Sequence, residues 1–348
     1  MIQVIATTPY TDQKMGTAGL RKKSKVVMQE HYFENFLQSI FNTIDPAGKT
    51  FVVGGDGRFY NSIAIQKLIK MAAANGVKKL IVGQNGFLST PASSNMILKR
   101  RTDGGFVLSA SHNPGGENGD FGIKFATETG GQGSSRVSDR IFAVSQTISE
   151  FKTVDAADID LSRLGTQNLE GMEIEIVDPI SDYVELMEKI FDFELIKKMF
   201  ANGFTMRFDA MNAVTGPYAI RIFEEILGAA KGSVLNAVPK PDFGGLHPDP
   251  NLVYAKELVN IMYADDAPDF GAANDGDGDR NMILGKKFFV TPSDSLAILT
   301  DNYDLIPAYK GGIYGVAKSM ATSTAVARVA SARNIGYYEV PTGWKYFV

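Results

Sequence analysis

Two short stretches concentrate the residue types that can do chemistry. In Leu108–Phe125 a hydroxyl, an imidazole and a carboxamide stand side by side as Ser111, His112 and Asn113. Pro114-Gly115-Gly116 follows, and Lys124 closes the segment. Pro-Gly and Asn-Gly dipeptides turn the chain, so Ser111 is expected on an exposed loop as a candidate reactive hydroxyl. In Ala272–Arg280, Asp275, Asp277 and Asp279 alternate with Gly276 and Gly278. Glycine lets the backbone curve until alternate carboxylates converge, and converged carboxylates repel unless a hard divalent cation sits among them. An exposed acidic turn without an ion is the plainer alternative. A calcium loop of EF-hand type fails on spacing, because Arg280 and Lys286 stand where it needs Gly and Glu. Magnesium is favoured, since it usually binds a few carboxylates together with phosphate oxygens.

Three further stretches carry weaker signals. Gly16–Lys23 (GTAGLRKK) combines Thr17 with three cations from Arg21 onward. It suits an anion-binding turn, although composition alone favours a solvated basic loop. GGDGR at Gly54–Arg58 reads equally well as a turn without function. FGGLHPDPNL at Phe243–Leu252 is a loop rich in Gly and Pro. The prolines give its His247-Pro248-Asp249-Pro250 core a mainly structural reading.

The elements around these stretches follow from hydrophobic period. Phe106–Leu108 reads as a strand leading into the serine loop, as open α/β sheets present their chemistry. Thr50–Val53, the apolar stripe Ile65, Leu68, Ile69 and Ala72, and Lys79–Val82 make a strand–helix–strand unit. Val137–Ile148 reads as helix, Lys152–Leu169 as polar surface connection and Met172–Ile176 as an alternating strand. Asp178-Pro179 opens a helix, and a boundary falls near Phe191. A second unit has its strand at Phe204–Phe208 and a helix with Pro217 in the first turn and Ile222, Phe223, Ile226 and Leu227 buried. Strands at Phe270–Ala273 and Met282–Leu284 flank the acidic loop. A third unit runs Gly312–Val316, a turn at Ser319–Thr324, helix Ala325–Ala332 and strand Gly336–Val340. The expected architecture is tandem three-layer α/β/α domains with mixed sheets, the third incomplete, over 1–190, 191–291 and 292–348.

Composition sets outer bounds. The 348 residues are 44% hydrophobic and 21% charged, typical of a soluble globular chain of two or three domains. A net charge of −4 argues against a nucleic-acid surface but allows a local phosphate pocket. The absence of cysteine excludes disulfides, thiolate catalysis and cysteine-held metals, and a count of three histidines argues against a His-rich zinc site. No apolar run reads as a signal peptide or membrane span, so cytoplasm is the expected compartment.

Taken together, GTAGLRKK, ASHNPGGENGDFGIKF, FGGLHPDPNL, FGAANDGDGDRNMILG and PTGWKYF, in that order, resemble the α-D-phosphohexomutases, and within them the phosphoglucomutase branch. The resemblance extends over essentially the whole chain. It implies that Ser111 carries a phosphoryl group and that the phosphoserine joins Asp275, Asp277 and Asp279 in holding Mg²⁺. It implies exchange of that group with a hexose phosphate, interconverting glucose 1-phosphate and glucose 6-phosphate through glucose 1,6-bisphosphate. Lys124 then serves as general acid/base, and Arg21, Lys124 and Arg280 supply positive charge. His112 either contacts phosphate or fixes the loop, with contact favoured. Thr17 and Asn113 are implied phosphate contacts, Thr342 and Gly343 face the sugar, and Trp344 beside them has the packing role usual for a lone Trp. Ala18 stands where relatives often carry Ser, and SMATSTA replaces a proline- and glycine-containing turn. The chain ends before the rest of the third domain and all of a fourth, distal-phosphate-gripping domain that relatives carry, so this chain alone is expected to be weak or inactive. A non-catalytic binding or scaffold role and a metal-dependent phosphatase are the competing readings. Oligomeric state is not legible.

Overall fold

A computed structural model describes residues 1–16, 19–343, 346 and 347. Thr17 and Trp344 lie outside the described residues, as do Ala18, Lys345 and Val348. Strand Thr50–Gly55, helix Asn61–Ala74 and strand Lys79–Phe87 form a parallel crossover. The helix buries Ala64, Ile65, Leu68, Ile69 and Ala72, one face at i, i+1, i+4, i+5 and i+8. Strands Gly104–Leu108 and Met172–Val177 flank this pair in parallel; the first is buried throughout, while the second alternates as its sequence does. Asp120–Thr127 joins antiparallel beside Gly104–Leu108, and Leu20–Lys23 and Gly165–Leu169 form the antiparallel edges, completing a seven-stranded mixed sheet. Helices Tyr32–Ile44, Asn61–Ala74 and Ser135–Ser145 cover one face; Thr90–Arg100 and Ser181–Ile190 pack on the other. Phe106 sits between Phe41 and Phe51, with ring centroids 5.7 and 5.5 Å away. These edge-on contacts anchor the strand that delivers the serine loop.

The second sheet has five strands in the order Val234–Leu235, Met206–Asp209, Phe270–Asn274, Asn281–Gly285 and Phe288–Val290. The first three are parallel and the last two turn back. The acidic loop is the connection between Phe270–Asn274 and Asn281–Gly285, so a paired strand fixes each of its ends. In the third unit, strands Gly315–Ser319 and Gly336–Val340 are parallel around helix Ala325–Arg333, with helix Pro292–Asp301 packed beside it. No helix among the described residues is long and apolar enough to cross a membrane.

Three expectations need correction. Lys152–Leu169 is not simply surface connection: Glu150–Val154 pairs with Ile2–Ala6, and Gly165–Leu169 forms a sheet edge. The inward placement of Phe151 and Val154 is partly obscured by polar neighbours. The helix at Thr215–Ala219 continues as a π-helix over Ile220–Ile226, a register that hydrophobic spacing alone does not distinguish. Lys124 belongs to a central strand rather than the polar loop, paired with Val107. Its flanks, Ile123 and Phe125, are the better guide to its setting.

Candidate metal and nucleophile site

The strand Gly104–Leu108 runs out at its carboxyl end into Ala110–Asn113. There Ser111 adopts φ 55°, a left-handed conformation costly for a side chain unless its surroundings hold it. Its N–H donates to Ser109 Oγ at 2.7 Å, and that hydroxyl donates to Asp56 Oδ2 at 2.6 Å. The Ser111 hydroxyl is thereby aimed at the second domain, donating to Asp275 Oδ2 at 2.7 Å. The expected exposed loop is instead covered, with Ser111 fully buried. The acidic loop lies directly on it: a Cβ on Gly276 would come within 2.5 Å of the Ser111 carbonyl oxygen. Burial by a segment 164 residues away is a tertiary effect that local turn chemistry does not announce.

The acidic loop curves as its glycines permit, with Gly278 at φ 77° and its N–H donating to the Asp275 carbonyl at 3.1 Å. Carboxylate oxygens of Asp275, Asp277 and Asp279 come within 4.8 Å of one another. Asp277 Oδ2 accepts from Thr90 Oγ1 and from Lys124 Nζ, and Lys124 reaches Asp279 Oδ2 at 3.1 Å. The Thr90 N–H donates to the Asp277 carbonyl at 2.9 Å. Asp277 Oδ1 is buried without a hydrogen-bond partner. An orphaned carboxylate oxygen in an all-oxygen donor set fits a hard divalent cation, and these three carboxylates can hold a metal ion.

Charge in the site is unevenly shared. Burial and then the charges of Asp277 and Asp279 push the Asp275 carboxyl well above the usual carboxylate range. Burial also acts to raise Asp277, but the Lys124 ammonium and its hydrogen bond overcome this and hold it low. Lys124 shows the converse: burial pulls it down, while Asp277 and Asp279 outweigh that and raise it. Lys124 is thus the counter-charge that the chain itself supplies to these carboxylates. Burial, aided by Arg280, lowers His112 against the pull of Asp249, keeping its ring neutral near pH 7. Its Nδ1 lies 3.5 Å from Ser111 Oγ.

A raised carboxyl binds its proton more tightly folded than unfolded. Its stabilising contribution is therefore complete below the ordinary carboxylate pKa and is lost as pH rises through the raised value of Asp275. The cation-free chain is expected to lose melting temperature over that window. Asp275→Asn should flatten the loss and leave the cation-free chain more stable at neutral pH by about 1 kcal/mol or more. Thermal melts in chelator across pH, for both proteins, check this.

The remaining candidates are distributed unequally. Arg21 lies half-buried on strand Leu20–Lys23 beside the chain's own cationic and acidic groups; burial lowers it, while Asp277 and Asp279 oppose. Arg280 is exposed, its N–H fixed on Asp275 Oδ1 at 3.1 Å and its side chain 4.0 Å from Asp279. The Asn113 amide is spent inside its own loop, donating to Asp120 Oδ2 at 2.8 Å. His247 packs against Tyr254, ring centroids 4.1 Å apart and planes tilted by 47°. Thr342 is exposed and Gly343 has φ 137° at the end of strand Gly336–Val340; among the described residues no hydrogen bond joins either to the serine or acidic loop. Sequence reasoning missed Thr90, which opens helix Thr90–Arg100 after its Ser89 cap. The Ser-Thr-Pro start signals a helix terminus, but nothing local says that it meets Asp277.

Comparison with known proteins also finds three α/β/α domains. Family models for phosphoglucomutase/phosphomannomutase α/β/α domains I, II and III match residues 12–152, 181–287 and 292–348. The chain belongs to this family, the α-D-phosphohexomutases. It is 57% identical over 348 residues to a phosphoglucomutase of Rhizobium radiobacter, covering all of this chain and 64% of that protein. It is 52% identical to a chloroplastic phosphoglucomutase of Brassica napus, covering 99% of this chain and 56% of the relative. The open form of pp63/parafusin, a phosphoglucomutase from Paramecium, superimposes with a TM-score of 0.95 at 47% identity, covering 99% of this chain and 65% of that one. The chain therefore spans between about half and two thirds of the length of these relatives.

Proposed function

We propose that this chain carries the phosphoryl-transfer centre of a phosphoglucomutase, with Ser111 exchanging a phosphoryl group with glucose phosphates through glucose 1,6-bisphosphate. The observation that carries the reading is the hydrogen bond from Ser111 Oγ to Asp275 in a site with an orphaned Asp277 oxygen and a buried lysine. A protein that only binds has no need to bury a hydroxyl, two carboxylates and an ammonium together, at the desolvation cost that implies. The domains are read as a serine-loop unit over 1–190, a metal-loop unit over 191–291 and a sugar-facing unit over 292–348.

Asp275, Asp277 and Asp279 would hold Mg²⁺ with an oxygen on Ser111. Bound there, the cation neutralises charge on the phosphoryl oxygens, the main requirement of a loose phosphoryl-transfer transition state. The chain's own residues supply the rest. Ser111 Oγ forms the new O–P bond while the bond from phosphorus to the sugar oxygen breaks. The serine proton lies on the hydrogen bond to Asp275 Oδ2, and Lys124 Nζ, held protonated by its acidic neighbours, can give a proton to the departing sugar oxygen. In the reverse direction the neutral Lys124 left by that transfer takes the proton of the sugar hydroxyl as it attacks phosphorus, and the proton on Asp275 returns to Ser111 Oγ as its bond to phosphorus breaks. Arg21 and Arg280 would add positive charge, and His112, its Nδ1 3.5 Å from Ser111 Oγ, would contact the phosphoryl group. Asn113 holds the loop through Asp120, and Thr17, Thr342 and Gly343 are assigned to phosphate and sugar from their motifs.

The test is an assay of glucose 1-phosphate conversion with Mg²⁺ and a priming amount of the bisphosphate. Glucose 6-phosphate formation that Asp277→Asn removes supports the reading. Release of inorganic phosphate without isomer formation would establish a phosphatase instead.

A further inference from the structure

The GGDGR stretch lies directly beneath the serine loop. Strand Thr50–Gly55 ends one residue before Asp56, and the Arg58 side chain is almost entirely buried. Its Nε lies 2.9 Å from Asp56 Oδ2, and Nη2 is the same distance from that oxygen. Its remaining donors go to main-chain carbonyls of one loop: Nη2 to Ser111 at 2.7 Å, and Nη1 to Asp120 at 2.8 Å and Asn113 at 3.3 Å. Asp56 completes the frame by accepting from Ser109 Oγ, which in turn receives the Ser111 N–H. The second domain closes over the guanidinium. The buried Phe243 ring lies over it, with the Arg58 Cζ 5.2 Å from the ring centroid. The Pro241 carbonyl accepts from the N–H groups of Phe59 at 2.7 Å and Gly116 at 3.2 Å. A Cβ on Gly276 of the acidic loop would meet Ser111 O, Arg58 Nη2 and Phe243 Cζ together.

We infer that Arg58 is a positioning residue: clamped by Asp56 and capped by Phe243, it fixes the Ser111 hydroxyl in register with the Asp275–Asp279 loop across the domain junction. The inference rests on the phosphoryl-transfer reading for its catalytic consequence, but the register itself is a property of the cation site. Planar geometry matters here. A buried ion pair seldom repays its desolvation in stability, whereas a five-donor fork can tie three carbonyls and a carboxylate in one plane. It offsets the cost of the left-handed Ser111, because the carbonyl that the turn points inward finds a charged donor. Lysine retains the charge but cannot span these partners.

The experiment is a double-mutant cycle read by Mn²⁺ binding to the full chain, with Arg58→Lys and Ser111→Ala separately and combined. Arg58→Lys is expected to weaken Mn²⁺ about 10-fold, the range found when groups that orient a ligand are lost. Ser111→Ala should weaken it comparably, and adding Arg58→Lys should then cost nothing further. A loss from Arg58→Lys that is the same in both backgrounds, or no loss at all, overturns the inference, since a merely structural role would act without Ser111. Phe243→Leu, expected to give about 3-fold by the same non-additive pattern, decides the matter if thermal melts show that Arg58→Lys does not fold. A second readout is phosphoryl uptake from glucose 1,6-bisphosphate: Arg58→Lys should lower the maximal rate about 30-fold with half-saturation changed less than about 3-fold. A wild-type chain that takes up no phosphoryl group contradicts the proposed function, while the Mn²⁺ cycle still decides for or against the positioning role of Arg58.

Discussion

Ser111→Ala is expected to reduce phosphoryl uptake from glucose 1,6-bisphosphate by about 10⁴-fold or more, the scale on which loss of a covalent nucleophile is felt. The size follows from what surrounds the hydroxyl. His112 Nδ1 lies 3.5 Å from it and is half-buried, but no other hydroxyl among the described residues is aimed at Asp275. The same substitution should leave the fold nearly intact, since one hydrogen bond to Asp275 is lost, worth about 1 kcal/mol. The contrast between a collapsed rate and a preserved melt separates a chemical role from a packing role. A rapid-quench measurement of uptake beside a thermal melt checks both halves. Wild-type uptake in the alanine variant would move the phosphoryl carrier elsewhere, with His112 the first suspect.

Lys124→Met is expected to do the reverse: harm stability as much as rate. Methionine keeps most of the stem volume on strand Asp120–Thr127 but removes the ammonium that Asp277 and Asp279 share. Breaking a buried ion pair by deleting one partner leaves an uncompensated charge, at a cost of about 3–5 kcal/mol. Asp277 would then rise from its depressed position, because Lys124 is what holds its carboxyl low against burial. Mg²⁺ binds only the folded site, so millimolar Mg²⁺ should return part of the lost stability, and proportionally more than in the wild type. Phosphoryl-transfer rate should still fall about 10²–10⁴-fold with Mg²⁺ present, since a general acid and a fixed positive charge are both missing. Melts in chelator and in Mg²⁺ test the first claim. An unchanged melt of the variant in chelator would mean that Lys124 is not the site's counter-charge.

Where contacts are local, the sequence is an adequate guide. The apolar stripe of helix Asn61–Ala74 and the runs on either side of it reveal the crossover, and strand Gly336–Val340 falls where the sequence reading puts it. The two strands around the acidic loop can be read because each is an apolar run beside a polar turn. What eludes local reasoning depends on segments far apart in the chain. Ser111 looks exposed because its neighbours are turn formers, yet a loop 164 residues later covers it. Lys124 reads as the end of a polar loop, and its burial on a strand is intelligible only beside Asp277. Arg58 looks like a turn residue until Ser111, Asn113 and Asp120 are brought around it. Motif order, by contrast, carries information that spacing cannot, since the serine and aspartate stretches acquire a joint meaning only as a pair.

The most direct test of the central claim is the intact mass of the chain after incubation with Mg²⁺ and glucose 1,6-bisphosphate, followed by peptide mapping. One added phosphoryl group is expected, placed on Ser111, with an equal amount of glucose monophosphate released. An unmodified chain, a phosphoryl group on another residue, or free phosphate without an adduct would contradict a phosphoserine carrier at this site.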